Sequence, residues 1–169
     1  RVVTALQDKD SYLDRYSANR NVFYGIAEAD LTDNTMLTVG MQYQENKTDS
    51  PLWGALPLVY RDGSPTNYDV STSTATDWSY WNTKEKRGFI ELSHALANDW
   101  KLKSSFTHID FSQDSELFYV YGAPDKNTGL GLYAYPSAYT GANQQNIADI
   151  NLSGPFQLFG REHQLATGA

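Results

Sequence analysis

The sequence contains no cysteine, and no apolar run long enough to cross a membrane as a helix. The first absence excludes a disulfide framework, thiol catalysis and a thiolate metal site. The second excludes a transmembrane helix, which needs about 20 consecutive apolar residues. It leaves a transmembrane β-barrel open, because barrel strands are only about 10 residues long and half of their side chains are polar.

Basic residues are also scarce. The chain has 13 lysines and arginines against 20 aspartates and glutamates, which gives a net charge of −7. This balance argues against binding of nucleic acid through a basic patch. An acidic surface of this kind most often serves solubility.

Motifs for catalysis and for metal binding are missing as well. The three histidines, His94, His108 and His163, are far apart in the sequence, and none has metal-ligand spacing. We therefore expect no enzymatic activity, no catalytic residue, no metal held by the protein and no cofactor.

What the sequence does contain is alternation with period two, most clearly in residues 21–47. Apolar side chains occupy every second position on both sides of the turn Thr32–Thr35, and polar side chains occupy most of the positions between them. Successive side chains leave a strand on opposite faces, so this pattern predicts extended chain with one apolar and one polar face.

Alternation and turn residues together predict a series of strands. Residues 84–97, KEKRGFIELSHALA, fit helical spacing as well as strand alternation. A tight turn at Ala97–Asp99, followed by renewed alternation in WKLKSSFTHIDF, favours a hairpin. The predicted strands cover residues 1–12, 20–31, 36–48, 83–97, 100–112 and 146–154, with a further turn beginning at Gly154-Pro155.

The connections between these strands differ greatly in length. Residues 49–81 and 113–145 read as long loops rich in glycine and proline, whereas the other connections are short. In an up-and-down meander the long loops fall at one end of the sheet and the short turns at the other, as in outer-membrane barrels. We predict an all-β, antiparallel, up-and-down transmembrane barrel segment. A soluble sandwich or lipocalin-like barrel explains the alternation equally well but explains the loop asymmetry poorly.

In the barrel interpretation, the two faces of the sheet have different surroundings. The polar face would line the lumen, through Glu28, Asp30, Gln42, Gln44 and Glu91. The apolar face would contact lipid, through Phe23, Ala27, Leu31, Leu37, Val39, Met41, Ile90, Leu92, Leu102, Phe106, Ile150 and Leu152.

The two predicted long loops and their flanks are rich in aromatic side chains. An exposed aromatic ring gives up roughly 2 kcal/mol of the free energy that its burial would contribute. A concentration of rings in loops therefore indicates that they have a function there. Three uses remain open: a surface that stacks on a planar ligand, an aromatic girdle at the membrane interface, and packing of the loop on itself. The residues concerned are Trp53, Trp81, Trp78, Tyr60, Tyr119 and Tyr121.

Several stretches resemble TonB-dependent outer-membrane ferric-siderophore receptors of the ferric-pyoverdine and coprogen/hydroxamate type. They are QDKDSYLDRY, VFYGIAEADLTDNTMLTVGMQYQ, SPLWGALPL, TDWSYWNTK and LSGPFQLFGREHQL, in order along the whole chain. The resemblance implies a 22-stranded barrel with an N-terminal plug domain. The chain would be an internal piece of about six or seven strands, without the plug, with residues 156–163 as a longer periplasmic turn.

The resemblance also implies a function and partners. The whole receptor would bind ferric siderophores and import them across the Gram-negative outer membrane, with energy transmitted by TonB through the plug. Iron would be carried by the siderophore. Among the loop aromatics, Trp53 and Trp81 match the family positions best, Trp78 and Tyr60 follow, and Tyr119 and Tyr121 lie where the chain departs from the family pattern.

Two alternatives to this function stay open from the sequence. One is a TonB-dependent receptor for another ligand, such as cobalamin, haem or a glycan. Haem counts as the weakest of these because the two longest predicted loops contain no histidine. The other is a soluble carbohydrate-binding β-domain that uses Trp53, Trp78 and Trp81 as sugar platforms.

Overall fold

The computed structural model describes residues 1–169 as one antiparallel sheet of seven strands in consecutive order. Every strand therefore pairs with its neighbours in the chain, and no connection crosses over. No helix in the structure is long and apolar enough to cross a membrane. The strands are β1 (Val2–Asp10), β2 (Ser17–Thr32), β3 (Thr35–Asp49), β4 (Tyr80–Ala95), β5 (Lys101–Gly122), β6 (Leu132–Leu158) and β7 (Arg161–Gly168).

The register aligns residues of like character in rows across the sheet. One such row runs Ala27, Val39, Ile90, Phe106 and Ala148, each directly opposite the next. Directly opposed residues point to the same side, so the row forms a continuous apolar stripe across five strands. A slip of one residue in any pairing would turn that strand's apolar set to the other side.

These rows define two faces that are used below. The apolar face is the side of the Val39 row, and the polar face is the side of the intervening residues. By register and strand parity, all twelve residues predicted to share the apolar side lie on the apolar face, and the five predicted on the other side lie on the polar face. Prediction of the strand over KEKRGFIELSHALA is confirmed, since Tyr80–Ala95 is β4.

The apolar face is not covered by a second layer of protein. Only 9 of 169 residues are buried, and Val39 on the central strands is 47% exposed. The solvent-accessible surface is 11665 Å², whereas a compact monomer of this mass exposes about 8,400 Å². A soluble sandwich would bury this face in a private core, so the soluble alternative does not fit the structure.

The polar face holds a few apolar side chains that the alternating pattern did not predict. Phe89 of β4 lies across Gly40 of β3, directly opposite it, and its ring occupies the space where a Cβ would stand. Gly40 is buried by this contact. Glycine is needed here because the ring lies flat on the neighbouring backbone.

The prediction of a long loop over residues 113–145 is wrong. β5 continues to Gly122 and β6 begins at Leu132, with unbroken pairing from Gln113 opposite Gly141 to Gly122 opposite Leu132. The connection is only the turn of residues 123–131. The two strands therefore form a hairpin that extends well above the others.

The misleading signals in that segment were Pro136 and Gly141, which sit inside β6. Pro136 is directly opposite Phe118 of β5 and Gly141 is directly opposite Gln113, so both belong to the paired part of the hairpin.

The turn expected over residues 154–163 is also shorter than predicted. β6 runs through Gly154 and Pro155 to Leu158, which pairs with Arg161. The two residues between them, Phe159 and Gly160, have φ values of 51° and 71°. Two successive positive φ values are the geometry of a two-residue hairpin turn that matches strand twist.

Replacement of Gly40 by alanine tests the contact with Phe89. The new methyl group would meet the ring, and overpacking of this kind costs about 1–3 kcal/mol of unfolding free energy. Gly88→Ala is the matched control, because Gly88 lies on the adjacent strand with nothing within 4 Å of a Cβ. Denaturant unfolding of the intact protein should show a loss for Gly40→Ala alone; equal losses would contradict the packing described.

Candidate functional site: an aromatic cluster on the polar face

The tall hairpin of β5 and β6 carries a cluster of aromatic rings on the polar face. Tyr119 and Tyr121 are stacked with centroids 5.9 Å apart, and Tyr121 stacks on Tyr133 at 5.5 Å. Trp53, from the loop after β3, meets Tyr119 and Tyr139 edge to face, at 5.9 and 5.7 Å. The cluster thus joins two strands to a loop, in the ring geometries that aromatic pairs prefer.

The register explains why these rings share a side. Tyr121 is directly opposite Tyr133, and Tyr139 is directly opposite Ser115. Ser115 is in turn opposite Trp81 of β4, so Trp81 lies on the same face, two strands from Tyr139. Two strand spacings correspond to about 10 Å. Trp81 therefore flanks the cluster on the same face, and its ring pairs with none of the cluster rings.

The rings remain accessible despite their mutual contacts. Tyr121 is 46% exposed, Tyr133 62% and Trp81 38%. The rings therefore present apolar surface together with phenol groups, which suits an amphipathic, planar ligand. No carboxylate or imidazole belongs to the cluster, so it offers no ligand set for a metal.

The segment between β3 and β4, residues 50–79, places Trp53 by fixed contacts at its base. Ser50 N–H donates to the Ser79 carbonyl at 2.8 Å, and the Ser50 hydroxyl donates to the Thr76 carbonyl at 3.0 Å. Ser50 and Ser79 are both buried. This clamp holds the two ends of the segment together, so residues 50–79 leave the sheet and return to it at the same place.

The same segment is also fastened on each flank. On one side, Arg15 of the β1–β2 connection donates to the Ser73 carbonyl at 3.0 Å and lies 3.6 Å from Asp77. On the other side, the Tyr119 ring fills the space next to Gly54, whose φ is +99°. The loop therefore spans the top of the sheet from the β1–β2 connection to the tall hairpin.

Tyr60 lies outside the cluster, at a small hairpin within the loop. Its N–H donates to the Ser64 carbonyl at 2.8 Å, and the Lys126 ammonium is 5.8 Å from its ring centroid. Lys126 belongs to the β5–β6 turn. Tyr60 therefore helps to hold the two loop tips together, and the structure does not bring it to the other rings.

The β5–β6 turn is organised around Asp125. Its carboxylate accepts hydrogen bonds from the N–H and hydroxyl of Thr128, at 2.9 and 3.0 Å, and from the N–H of Asn127 at 3.0 Å. These hydrogen bonds, of which those from Thr128 contribute most, hold the pKa of the Asp125 carboxyl below its usual value. The turn therefore keeps this carboxylate charged and its own backbone donors satisfied.

Trp78 lies on the other side of the sheet from the cluster. Its ring meets Phe118 edge to face at 5.8 Å. Phe118 neighbours Tyr119 on β5, so the two side chains leave opposite faces. Of the six aromatic residues predicted as a ligand surface, the structure brings Trp53, Tyr119 and Tyr121 together and sets Trp81 beside them. It separates Trp78 and Tyr60.

Sequence reasoning missed Tyr133, Tyr135 and Tyr139, because it treated residues 113–145 as a loop. The signal was present in LYAYPSAYTG, where the tyrosines occupy odd positions only. Directly opposite, Tyr119 and Tyr121 of ELFYVYG also alternate. Alternating aromatic residues in both arms predict a hairpin with one aromatic face.

Each histidine has a structural partner. A ring nitrogen of His94 lies 2.8 Å from the Thr35 hydroxyl, one of His108 lies 2.7 Å from the Asn146 side-chain oxygen, and His163 stacks on Phe156. The structure contains no group of three or more histidine, aspartate or glutamate side chains that could hold a metal ion.

The chain has clear relatives among curated proteins, although no protein-family model matches it. It is 36% identical over 168 residues to the ferric-pyoverdine BN7/BN8 receptor of Pseudomonas putida. It is 37% identical over 172 residues to the ferripyoverdine receptor of Pseudomonas aeruginosa. Both matches cover 99% of this chain and 21% of the relative. The chain therefore spans about a fifth of the length of these relatives.

Solved structures show the same similarity in three dimensions. The crystal structure of the ferripyoverdine receptor of the outer membrane of Pseudomonas aeruginosa, bound to ferripyoverdine, matches with a TM-score of 0.91 at 36% identity. That match covers 99% of this chain and 22% of the receptor chain. The alcaligin outer-membrane receptor of Bordetella pertussis matches with a TM-score of 0.59 at 22% identity, which shows the shared fold alone.

Sheet, register and relatives together indicate one class: over 99% of its length the chain is similar to outer-membrane ferric-siderophore receptors, of which it spans about a fifth. Its seven strands correspond to a consecutive stretch of the barrel wall of such a receptor. Within the class, the proteins that it matches at 36% and 37% identity are ferric-pyoverdine receptors.

The docking of the loop on Tyr119 can be tested at Gly54. Gly54→Ala should loosen residues 50–58, because alanine disfavours the positive φ and its methyl group would collide with the Tyr119 ring. Gly63→Ala is the matched control, with φ of +81° but nothing within 4 Å. Hydrogen exchange of the intact receptor should rise around Trp53 only for Gly54→Ala. Equal exchange in both variants would argue against the ring contact.

Proposed function

We propose that the chain forms part of the wall and part of the capture surface of a receptor that imports ferric siderophores across the outer membrane. The aromatic cluster carries this proposal, because it places accessible rings on the polar face, above the rows assigned to the lumen. A ferric siderophore with a planar chromophore would stack on those rings. The relatives whose names refer to ferric pyoverdine support this substrate class.

The apolar face would lie against lipid. On β2 the apolar positions run from Leu31 to Phe23, eight residues or about 26 Å along the strand. At the tilt of about 35–45° of barrel strands this length rises about 20 Å, which is most of a hydrophobic band about 25 Å tall and flanked by aromatic residues. Phe23 and the directly opposite Tyr43 mark the upper limit of the band, since polar residues follow on this face: Asn21 on β2, and Glu45 and Lys47 on β3.

The polar face would line the lumen. Four of its charged side chains form two pairs within the wall: Glu91 lies 2.8 Å from Lys103, and Glu85 lies 3.3 Å from Arg87. Glu28, Asp30, Gln42 and Gln44 lie on the same face. Side chains of this kind keep a bore wet and can contact a plug domain or a passing solute.

Transport by this receptor would involve no chemistry on the siderophore. The ferric complex would bind at the aromatic surface with its iron coordinated by the siderophore alone. TonB would supply energy through a part of the receptor outside this chain. The role of this segment is therefore to bind the ligand, to shape the bore and to hold the wall in the membrane.

The lipid contact is tested by charge on the apolar face. Val39→Arg should cost about 2–4 kcal/mol near the middle of the bilayer and reduce assembly of the receptor in the membrane. Gln44→Arg, on the polar face of the same strand, is the matched control and should assemble normally. Heat-modifiable mobility of outer-membrane fractions measures both; normal assembly of Val39→Arg would contradict the lipid assignment.

The ligand surface is tested by truncation of tryptophans on the two sides of the sheet. Trp53→Ala and Trp81→Ala should weaken ferric-siderophore binding by about 2 kcal/mol each, roughly thirtyfold, as for buried aromatic anchors. Trp78→Ala removes a ring of the same size on the opposite side and should bind normally.

Fluorescence quenching of the full-length receptor by a panel of ferric siderophores measures these affinities. Unchanged affinity in Trp53→Ala and Trp81→Ala would remove the proposed surface. A loss for Trp78→Ala as large as that for Trp53→Ala would also contradict the division between the faces.

A further inference from the structure

A row of polar side chains crosses the polar face directly below the aromatic cluster. From β2 to β5 its members are directly opposite one another: Arg20, Asn46, Thr83 and Gln113. We call these four residues the polar row. Trp81 is two residues above Thr83 on β4, which places the row about 7 Å along the strand below that tryptophan. A ligand held at the aromatic cluster would therefore have the polar row beneath it.

Hydrogen bonds hold the Arg20 guanidinium in place. Its Nε–H donates to the Asn46 side-chain oxygen at 2.8 Å, and the Gln44 side-chain amide donates to the same oxygen at 3.2 Å. The Asn46 amide in turn donates to the Thr83 hydroxyl at 2.9 Å. Because arginine can only donate, this arrangement also fixes which side-chain atom of Asn46 is its oxygen. The guanidinium is therefore oriented before any ligand binds.

The outer edge of the same guanidinium is free. Arg20 is exposed, and its Nη1 and Nη2 groups make no hydrogen bond within the chain. No carboxylate lies within 4 Å of it, whereas Arg87 on the same face is paired with Glu85. A guanidinium that is fixed through Nε and unpaired at both Nη groups presents the parallel donors that bind a carboxylate with two hydrogen bonds.

Lys9 adds a second positive charge at this place. It lies on the polar face of β1, directly opposite Ala18, and Ala18 is two residues from Arg20 on β2. Side chains on such a diagonal have Cβ atoms about 7–8 Å apart. Lys9 is exposed and also has no carboxylate within 4 Å. Two unpaired cations therefore lie together on the β1–β2 side of the aromatic cluster.

The distance between Arg20 and the nearest flanking ring suits a single ligand. Arg20 on β2 and Trp81 on β4 are separated by two strand spacings and by two residues along the strand, which together correspond to about 12 Å. Between them on β3 stand Thr48, opposite Trp81, and Asn46, opposite Arg20, and both side chains are short. An extended arm of a ligand can therefore pass over β3 from the ring to the guanidinium.

We propose that Arg20, assisted by Lys9, binds a carboxylate on an arm of the ligand that stacks at the aromatic cluster. The receptor would then select ferric siderophores with an acidic arm over those whose arm ends in a neutral amide. The inference rests on the proposed function, because it needs the aromatic cluster to hold the siderophore. A carboxylate from elsewhere in the receptor would satisfy the same donors, and the test separates these two sources.

The test compares two forms of one ferric siderophore that differ only in a terminal carboxylate or its amide. Fluorescence quenching of the full-length receptor gives the Kd of each form. The wild-type receptor should bind the acid roughly tenfold or more tightly, because hydrogen bonds to charged groups are the stronger ones. In Arg20→Gln, affinity for the acid should fall to that for the amide, and affinity for the amide should stay unchanged. Lys9→Gln should reduce the preference less, because lysine is a point charge without a fork of donors.

Three further variants show whether Arg20 acts on the ligand or only on the sheet. Arg20→Lys keeps the charge without the fork and should restore only part of the preference for the acid. Asn46→Asp sets a carboxylate against the guanidinium and should lower that preference as Arg20→Gln does, with assembly retained. A purely structural arginine would be held more firmly in Asn46→Asp, and the preference would not change. Arg87→Gln is the matched control and should keep the full preference, because this arginine is already paired within the wall.

The outcomes separate this inference from the proposed function. If the wild-type receptor binds both forms equally and Trp53→Ala weakens both, the carboxylate site is overturned and the aromatic surface stands. Equal losses for acid and amide in Arg20→Gln would show that Arg20 pairs with the receptor itself, which also overturns the site. Binding of neither form to the wild-type receptor would overturn the proposed function and this inference with it.

Discussion

The in-register ladder of backbone hydrogen bonds from β2 to β5 is the constraint on which the other features depend. Because directly opposed residues share a side, the ladder turns a period-two pattern in each strand into continuous rows across the sheet. It fixes Val39 and its row on one face and Gln42 and its row on the other. The two faces need different surroundings, and the proposed wall between lipid and a wet bore would supply both.

The same ladder positions the aromatic cluster. Extension of β5 and β6 beyond the other strands carries Tyr119, Tyr121 and Tyr133 upward on the polar face, in line with the polar rows below them. The clamp at Ser50 then returns the long loop over the sheet, so that Trp53 reaches those rings. An aromatic cluster assembled from three separate stretches of chain, the proposed ligand surface, is therefore a consequence of strand length and register.

Sequence reasoning predicted the faces well because alternation repeats over many residues and each strand reinforces the next. It failed in the upper hairpin, where Pro136 and Gly141 resemble loop residues but sit inside β6. It could not place Trp78 and Trp53 on different sides, because their loop has no period that fixes direction. The side on which each tryptophan lies is set by its contact with β5, which is Phe118 for Trp78 and Tyr119 for Trp53.

The most direct measurement of the central claim is a spin-label scan along residues 27–31 of β2, where every side chain is exposed. The chain has no cysteine of its own, so single cysteines introduced in a cysteine-free receptor can be labelled one at a time in lipid vesicles. Our account predicts that collision with oxygen is high at 27, 29 and 31, and that collision with a water-soluble nickel complex is high at 28 and 30. Accessibility that fails to alternate, or odd positions shielded from lipid by protein, would contradict it.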